Sequence, residues 1–403
     1  MHTKQKFNRR TFLSAAAVMG TGLVFGPSVF AQSGVRPLKI GMITSLSGPF
    51  AALGASMRAG LQLLIAESGG QFAGRNVELI VEDDQVKPDE GVRKARKLVS
   101  QDNVDMICGV ISSAVALAIR DVVASAKVPT FITTASANDL ARKAMSPYVF
   151  RPAKTNWMLG HTAGLWSAEK ISRKGCITLA ADYAAGREYV GDFIAAYKAD
   201  GGEVKQEIWT PLGTTDFAPL MTTLAAEKPD FVYSFFAGSD AVRFHQAMRD
   251  FGLAGKIKVV GTGALFDQED VLPVVGDAAI GGIHTFHSSP TASNPANRKF
   301  VDAYLKLKQH LPGENATAGY ATGQVMKAAA ERVQGDLSNK DKLRDALLAS
   351  PVETVYGSTS FDPRNNQAIL DIHVNEVRKG SDGKPINTVI HTYKLVRDPG
   401  PAV

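Results

Sequence analysis

Residues 104–140 read VDMICGVISSAVALAIRDVVASAKVPTFITTASANDL. Met106 to Val110 is a short apolar run that ends at Ser112 and Ser113, and apolar residues then recur at helical spacing from Ala114 to Ala126. Val128 to Thr133 is a second apolar run, with Pro129 near its start and Thr134-Ala135-Ser136-Ala137-Asn138 at its end. The stretch therefore reads as strand, polar turn, helix, strand, polar turn. In an open α/β sheet, ligands sit outside the carboxyl ends of parallel strands. Two such ends here carry hydroxyls and backbone N–H groups, from Ser112 and Ser113 at one and from Thr134 and Ser136 at the other. Donors of this kind suit a carboxylate, and the start of the helix after Ser113 adds a favourable dipole. Ordinary helix capping by Ser113 and Asn138 is the competing reading.

The same alternation extends outward in both directions. A strand at Leu38–Ile43 is followed by a helix over 51–67, a strand at Val77–Val81 and a charged helix over 88–101. After an extended passage between Pro147 and Pro152, a second alternating series runs to Gly261. Further extended passages occur at 283–286 and 356–361. The pattern predicts two doubly wound α/β lobes joined by three strands. We expect residues 36–149 plus 285–355 in the first lobe, and 150–284 plus 356–403 in the second.

At 403 residues the chain has room for two such units, and 45% hydrophobic against 21% charged residues is a globular balance. The net charge of +6 is concentrated early, with Lys4, Lys6, Arg9 and Arg10 in a segment that reads as an export signal. Without those four, 41 basic residues face 39 acidic ones. That balance leaves no basic footprint for nucleic acid. Asn8-Arg9-Arg10-Thr11-Phe12-Leu13-Ser14 resembles a twin-arginine signal, and Val29-Phe30-Ala31 reads as a cleavage site. A soluble periplasmic protein, with residues 1–31 removed, is the expectation. Cys108 and Cys176 fall in separate lobes and read as small buried residues. The chain has no Gly-x-Ser-x-Gly elbow, no Gly-Lys-Ser/Thr and no clustered cysteine-histidine spacing, so catalysis, a cofactor and a metal are not expected.

A set of short motifs resembles one family. These are Ile40-Gly41 with Leu46-Ser47-Gly48-Pro49, Glu82-Asp83-Asp84, Gly109-Val110-Ile111-Ser112-Ser113, Thr134 to Asn138, Asp182-Tyr183-Ala184-Ala185-Gly186, Phe231-Val232-Tyr233 and Phe251-Gly252-Leu253. In this order they resemble the branched-chain amino acid (Leu/Ile/Val) binding proteins of ATP-driven importers, over nearly the whole mature chain. The resemblance implies a type I periplasmic binding-protein fold, a monomer, and an inner-membrane permease as partner. It implies ligand contacts at Ser113, Thr134 and Ser136, with Tyr183 closing from the second lobe.

Two departures bear on the ligand. The acidic partner of an α-ammonium is replaced by Gly263, and a second-lobe aromatic near Ala237 or Gly238 is missing, with Phe235 and Phe236 just before it. An unpaired ammonium withdrawn from water costs several kcal/mol. With Leu53, Tyr183, Phe236, Phe266 and Trp157 as apolar surroundings, the first expectation is an aromatic or other hydrophobic carboxylate. The alternative is an amino acid whose charge is met by Asp240, Asp267 or Glu269. Arg187, four residues after Tyr183, is a candidate for an anionic ligand or for a surface ion pair. A ligand sensor and a periplasmic enzyme are the remaining readings.

Overall fold

The computed structural model describes residues 36–400. The expected export segment lies outside the described residues. The first sheet contains β1 (Leu38–Thr44), β2 (Gln71–Phe72), β3 (Arg75–Asp83), β4 (Met106–Gly109), β5 (Thr130–Ile132) and β6 (Val149–Phe150). Their order is β2-β3-β1-β4-β5-β6, parallel throughout except for the β2–β3 hairpin. Every residue of β4 and β5 is buried, as a parallel sheet covered on both faces requires. The helices Pro88–Ser100 and Ser113–Ser125 cover one face, and Ala51–Glu67 pairs with Glu314–Arg332 on the other. That last pairing is unusually close. A Cβ on Gly60 would meet the Ala316 carbonyl at 1.9 Å, and one on Gly319 would meet that of Met57 at 2.1 Å. Only glycine at both points lets the late helix return to the first lobe.

The second sheet contains β7 (Cys176–Ala181), β8 (Val204–Thr210), β9 (Phe231–Phe235), β10 (Lys258–Thr262), β11 (Ile283–Phe286), β12 (Val352–Thr354), β13 (Gly357–Asp362), β14 (Gln367–Lys379) and β15 (Pro385–Val396). Strands β7 to β11 pair in parallel, and β14 joins β11 antiparallel, carrying β13, β12 and β15 with it. Strand β12, from the stretch expected in the first lobe, thus extends the second sheet, because a tight turn at Val355 and Tyr356 folds it onto β13. Phe193 and Tyr233 stack at 3.9 Å in this core, with Tyr197 and Phe231 against them. Both cysteines are buried and free.

The lobes share one apolar seam. Phe150 of β6 stacks on Phe131 at 5.8 Å and meets Phe361 of β13 edge-on at 5.4 Å. Beside it the first crossing is pinned to β14, with the Arg151 amide donating to Asn366 O at 3.0 Å and the Ala368 amide to Arg151 O at 2.9 Å. The chain crosses again after β11 and once more before β12. These crossings place the carboxyl ends of β4 and β5 opposite those of β7 and β9.

Candidate functional site

A narrow cleft with a cavity volume of about 50 Å³ lies between those strand ends. Its first-lobe wall carries Phe50, Leu53, Ser113, Thr134 and Ser136. Ser113 is the first residue of the helix Ser113–Ser125, whose N-cap, Ser112, makes no side-chain capping bond. The first-turn N–H groups have no acceptor within the helix and none from a cap, so they stay available beside the Ser113 hydroxyl. Thr134 donates its hydroxyl to Val110 O at 3.3 Å. Ser136 donates to Asn156 Oδ1 at 2.5 Å and lies 3.0 Å from the Tyr189 hydroxyl.

Asn138 does not cap the turn that follows it in the chain. Its backbone N–H donates to Glu188 Oε2 at 2.8 Å and its Nδ2 to Asp192 Oδ2 at 2.7 Å, while its Oδ1 accepts from Trp157 N at 2.8 Å. Glu188 and Asp192 belong to the second-lobe helix Ala184–Ala199. The lobes are therefore already laced together at the cleft mouth. Burial raises both carboxyls above their ordinary range, Asp192 to about 6.

The second-lobe wall is apolar at the ends of β7 and β9. Phe235 lies 4.3 Å from the Tyr189 ring and 6.1 Å from Tyr183. Ala185, Ala237 and Gly238 complete it. Gly238 has φ 57 and ψ −132, a combination open to glycine, and a Cβ there would stand 2.7 Å from Pro49 O of the first lobe. The missing aromatic side chain is thus room for the opposite lobe.

Of the residues singled out from sequence, Leu53, Ser113, Thr134, Ser136 and Tyr183 line the cleft. Four others do not. Ser112 is buried behind the helix start. Phe236 points to the opposite face of its strand from Phe235, into the second-lobe core, where it meets Phe217 at 5.2 Å and Phe244 at 5.4 Å. A one-residue step along an extended chain reverses the face. Gly263 lines a smaller neighbouring cavity, where a Cβ would strike the Phe286 ring at 2.5 Å. Arg187 is half exposed, bonded twice to Asp182 at 2.6 and 2.7 Å and stacked 3.8 Å over Trp209. It is a surface pair. Of the surrounding aromatics, Phe266 stacks on His284 at 5.5 Å and Trp157 on His161 at 4.3 Å, both outside the cleft.

The alternative acids separate in the same way. Asp240 accepts from Gly213 N at 2.8 Å and pairs with Arg243, while Glu269 accepts from the Tyr304 hydroxyl at 2.7 Å. Asp267 does reach the cleft. So do Lys154, Tyr189, Phe235, Glu314 and Asn315, which the sequence reading did not single out as site residues. A lysine in a crossing segment and an acid at a distant helix start carry no local pattern that marks them as partners. Yet Lys154 and Glu314 form an ion pair whose side chains are 2% and 9% exposed.

Residues 37–384 match the periplasmic binding protein family. The chain belongs to that family. The binding protein is 29% identical over 368 residues to the Leu/Ile/Val-binding protein homolog 6 of Brucella melitensis, covering 90% of this chain and 93% of the relative. Among solved structures it is similar to a solute-binding protein of an ABC transporter from Rhodopseudomonas palustris BisB5 in complex with 3,4-dihydroxybenzoic acid. The TM-score is 0.85 at 31% identity, over 90% of this chain and 99% of that one. An R. palustris ABC-transporter solute-binding protein in complex with benzoate gives 0.85 at 27% identity, over 91% and 99%. The binding protein is accordingly a type I periplasmic binding protein, a solute-binding component of an ABC importer.

Proposed function

We propose that the cleft captures a small hydrophobic or aromatic carboxylate and that the loaded protein delivers it to an inner-membrane permease. The observation that carries this reading is one uncapped helix start with the Ser113 hydroxyl facing a wall of Tyr183, Tyr189 and Phe235. Donors fix the anion and the apolar wall takes the body of the ligand, the usual division in an enclosed site. Thr134 and Ser136 supply further polar groups beside Ser113, and Leu53 packs from the first lobe. The aromatic-acid complexes of the two R. palustris proteins support the same ligand class. The protein works in the periplasm after export, as a monomer and without turnover.

Branched-chain amino acid binding is the second reading, favoured by the Leu/Ile/Val-binding relatives and by Asp267 at the cleft. Calorimetric titration with benzoate, 4-hydroxybenzoate and leucine separates the two. Binding of the aromatic acids with little or no heat from leucine is expected, and tight leucine binding overturns the first reading. Incubation of the same compounds with the protein, followed by product analysis, tests the absence of turnover.

A further inference from the structure

We infer that Lys154 is a resident ammonium that excludes ligands carrying an amino group, so that it sets the selectivity of the cleft. This rests on the carboxylate reading and deepens it. Lys154 comes from the first crossing between the lobes, and its side chain is 2% exposed. Its Nζ bonds the Glu314 carboxylate and donates to Thr134 O at 3.3 Å. It also stands 5.3 Å from the Phe286 ring centroid, a favourable place for a cation.

These contacts decide what the cleft has left to offer. An incoming ammonium needs acceptors once it leaves water. Thr134 O and one oxygen of the Glu314 carboxylate, Oε1, are already bonded to the lysine, whose charge offsets that of Glu314. Asp267 is also occupied, with Oδ2 accepting from Glu314 N at 2.6 Å and Oδ1 from Glu269 N and Asp270 N at 2.9 Å each. Its charge faces the start of the helix Glu314–Arg332, where the helix dipole offsets it. Asn315, whose amide oxygen is unpartnered, is neutral and can turn its Nδ2 to the cleft instead. An ammonium would therefore meet acids whose charges are already offset, together with a like charge. A carboxylate meets free donors and the third N–H of Lys154, which has no acceptor among the described residues.

Two matched ligand pairs isolate the amino group, since each differs only there: 4-methylpentanoate with leucine, and 3-phenylpropanoate with phenylalanine. Affinities are measured by calorimetry on the full mature chain. Wild type is expected to prefer the member without nitrogen in both pairs. Lys154→Met releases Thr134 O and Glu314, and the preference moves at least tenfold toward the amino acid. Lys154→Arg keeps the charge and the wild-type preference. Because Lys154→Met leaves a buried acid unpaired, Lys154→Met with Glu314→Gln is measured beside it, and a shift of threefold or more in the same direction is expected. A wild type that prefers the amino acids overturns the inference, as does an unchanged preference in folded Lys154→Met or in folded Lys154→Met with Glu314→Gln, or a lost preference in Lys154→Arg. A wild type that binds neither pair nor benzoate overturns the carboxylate reading itself.

Discussion

The two walls of the cleft are built by the same kind of sheet edge, yet they present opposite chemistry. On the first-lobe side, the chain leaves β4 and β5 through serine and threonine, and the helix after β4 starts without a cap. On the second-lobe side, β9 ends in Phe235 and Gly238, and Tyr183 and Tyr189 flank the start of the helix after β7. The first wall orients a charge. The second hides the rest of the ligand from water and strengthens that electrostatic grip by lowering the local dielectric. The two walls meet through single bonds such as Ser136 to Tyr189, so closure and ligand contact draw on the same residues.

The largest test of this division is a neighbouring pair of phenylalanines. Phe236→Ala should lower unfolding stability by about 3–5 kcal/mol, the cost of emptying a packed aromatic site. The affinity of the protein that remains folded should be unchanged, because Phe236 is in the core. Phe235→Ala should instead weaken binding. Denaturant melts and calorimetry on both variants check this, and a Phe236 variant with altered affinity breaks the comparison. Next in size is Ser113→Ala, which removes a donor to a charged group worth about 1.5–3 kcal/mol and should weaken carboxylate binding about tenfold or more. The melting temperature without ligand should hold.

Tyr189→Phe sharpens the role of contact between walls. It deletes the hydroxyl 3.0 Å from Ser136 and should weaken binding by about 1 kcal/mol, read mainly as faster dissociation. The smallest effect concerns Asp192. Burial raises its carboxyl from 3.8 to about 6, so the folded state holds the proton more tightly than the unfolded chain. The contribution to stability is complete below about pH 4 and is lost as pH rises through about 6. Asp192→Asn should flatten that part of the stability–pH curve by about 0.5–1 kcal/mol, allowing for partial exposure. Thermal melts from pH 4 to 7 read it directly.

Much of the scaffold was legible in the sequence. Apolar periodicity located β1, β4, β5, β9 and β11 together with most of the helices, because strand and helix spacing reflects which face is buried. Ser113, Thr134 and Ser136 were legible for a related reason, since polar residues that end buried parallel strands must emerge at the sheet edge. Phe235 and Phe236 show where this reading stops. Both fit an apolar strand, and the side each faces depends on a phase of one residue that a continuous apolar run does not reveal. Gly263 failed similarly: its position in the chain placed it in the ligand site as the replacement of an acid, whereas it lines a neighbouring cavity beside the Phe286 ring.

The amino-acid order by itself determined the alternation of strand and helix, the two-lobed architecture and the polar edge of the first lobe. All three follow from steric and solvation preferences that act between near neighbours in the chain. Only the tertiary structure decided which charges are spent and which are free. Lys154, Glu314 and Asp267 come from three separate segments, and their meaning depends on distances of a few ångströms inside a poorly solvated cleft. Coulomb energy and desolvation depend on separation and surroundings in the folded molecule, and residue order alone specifies neither.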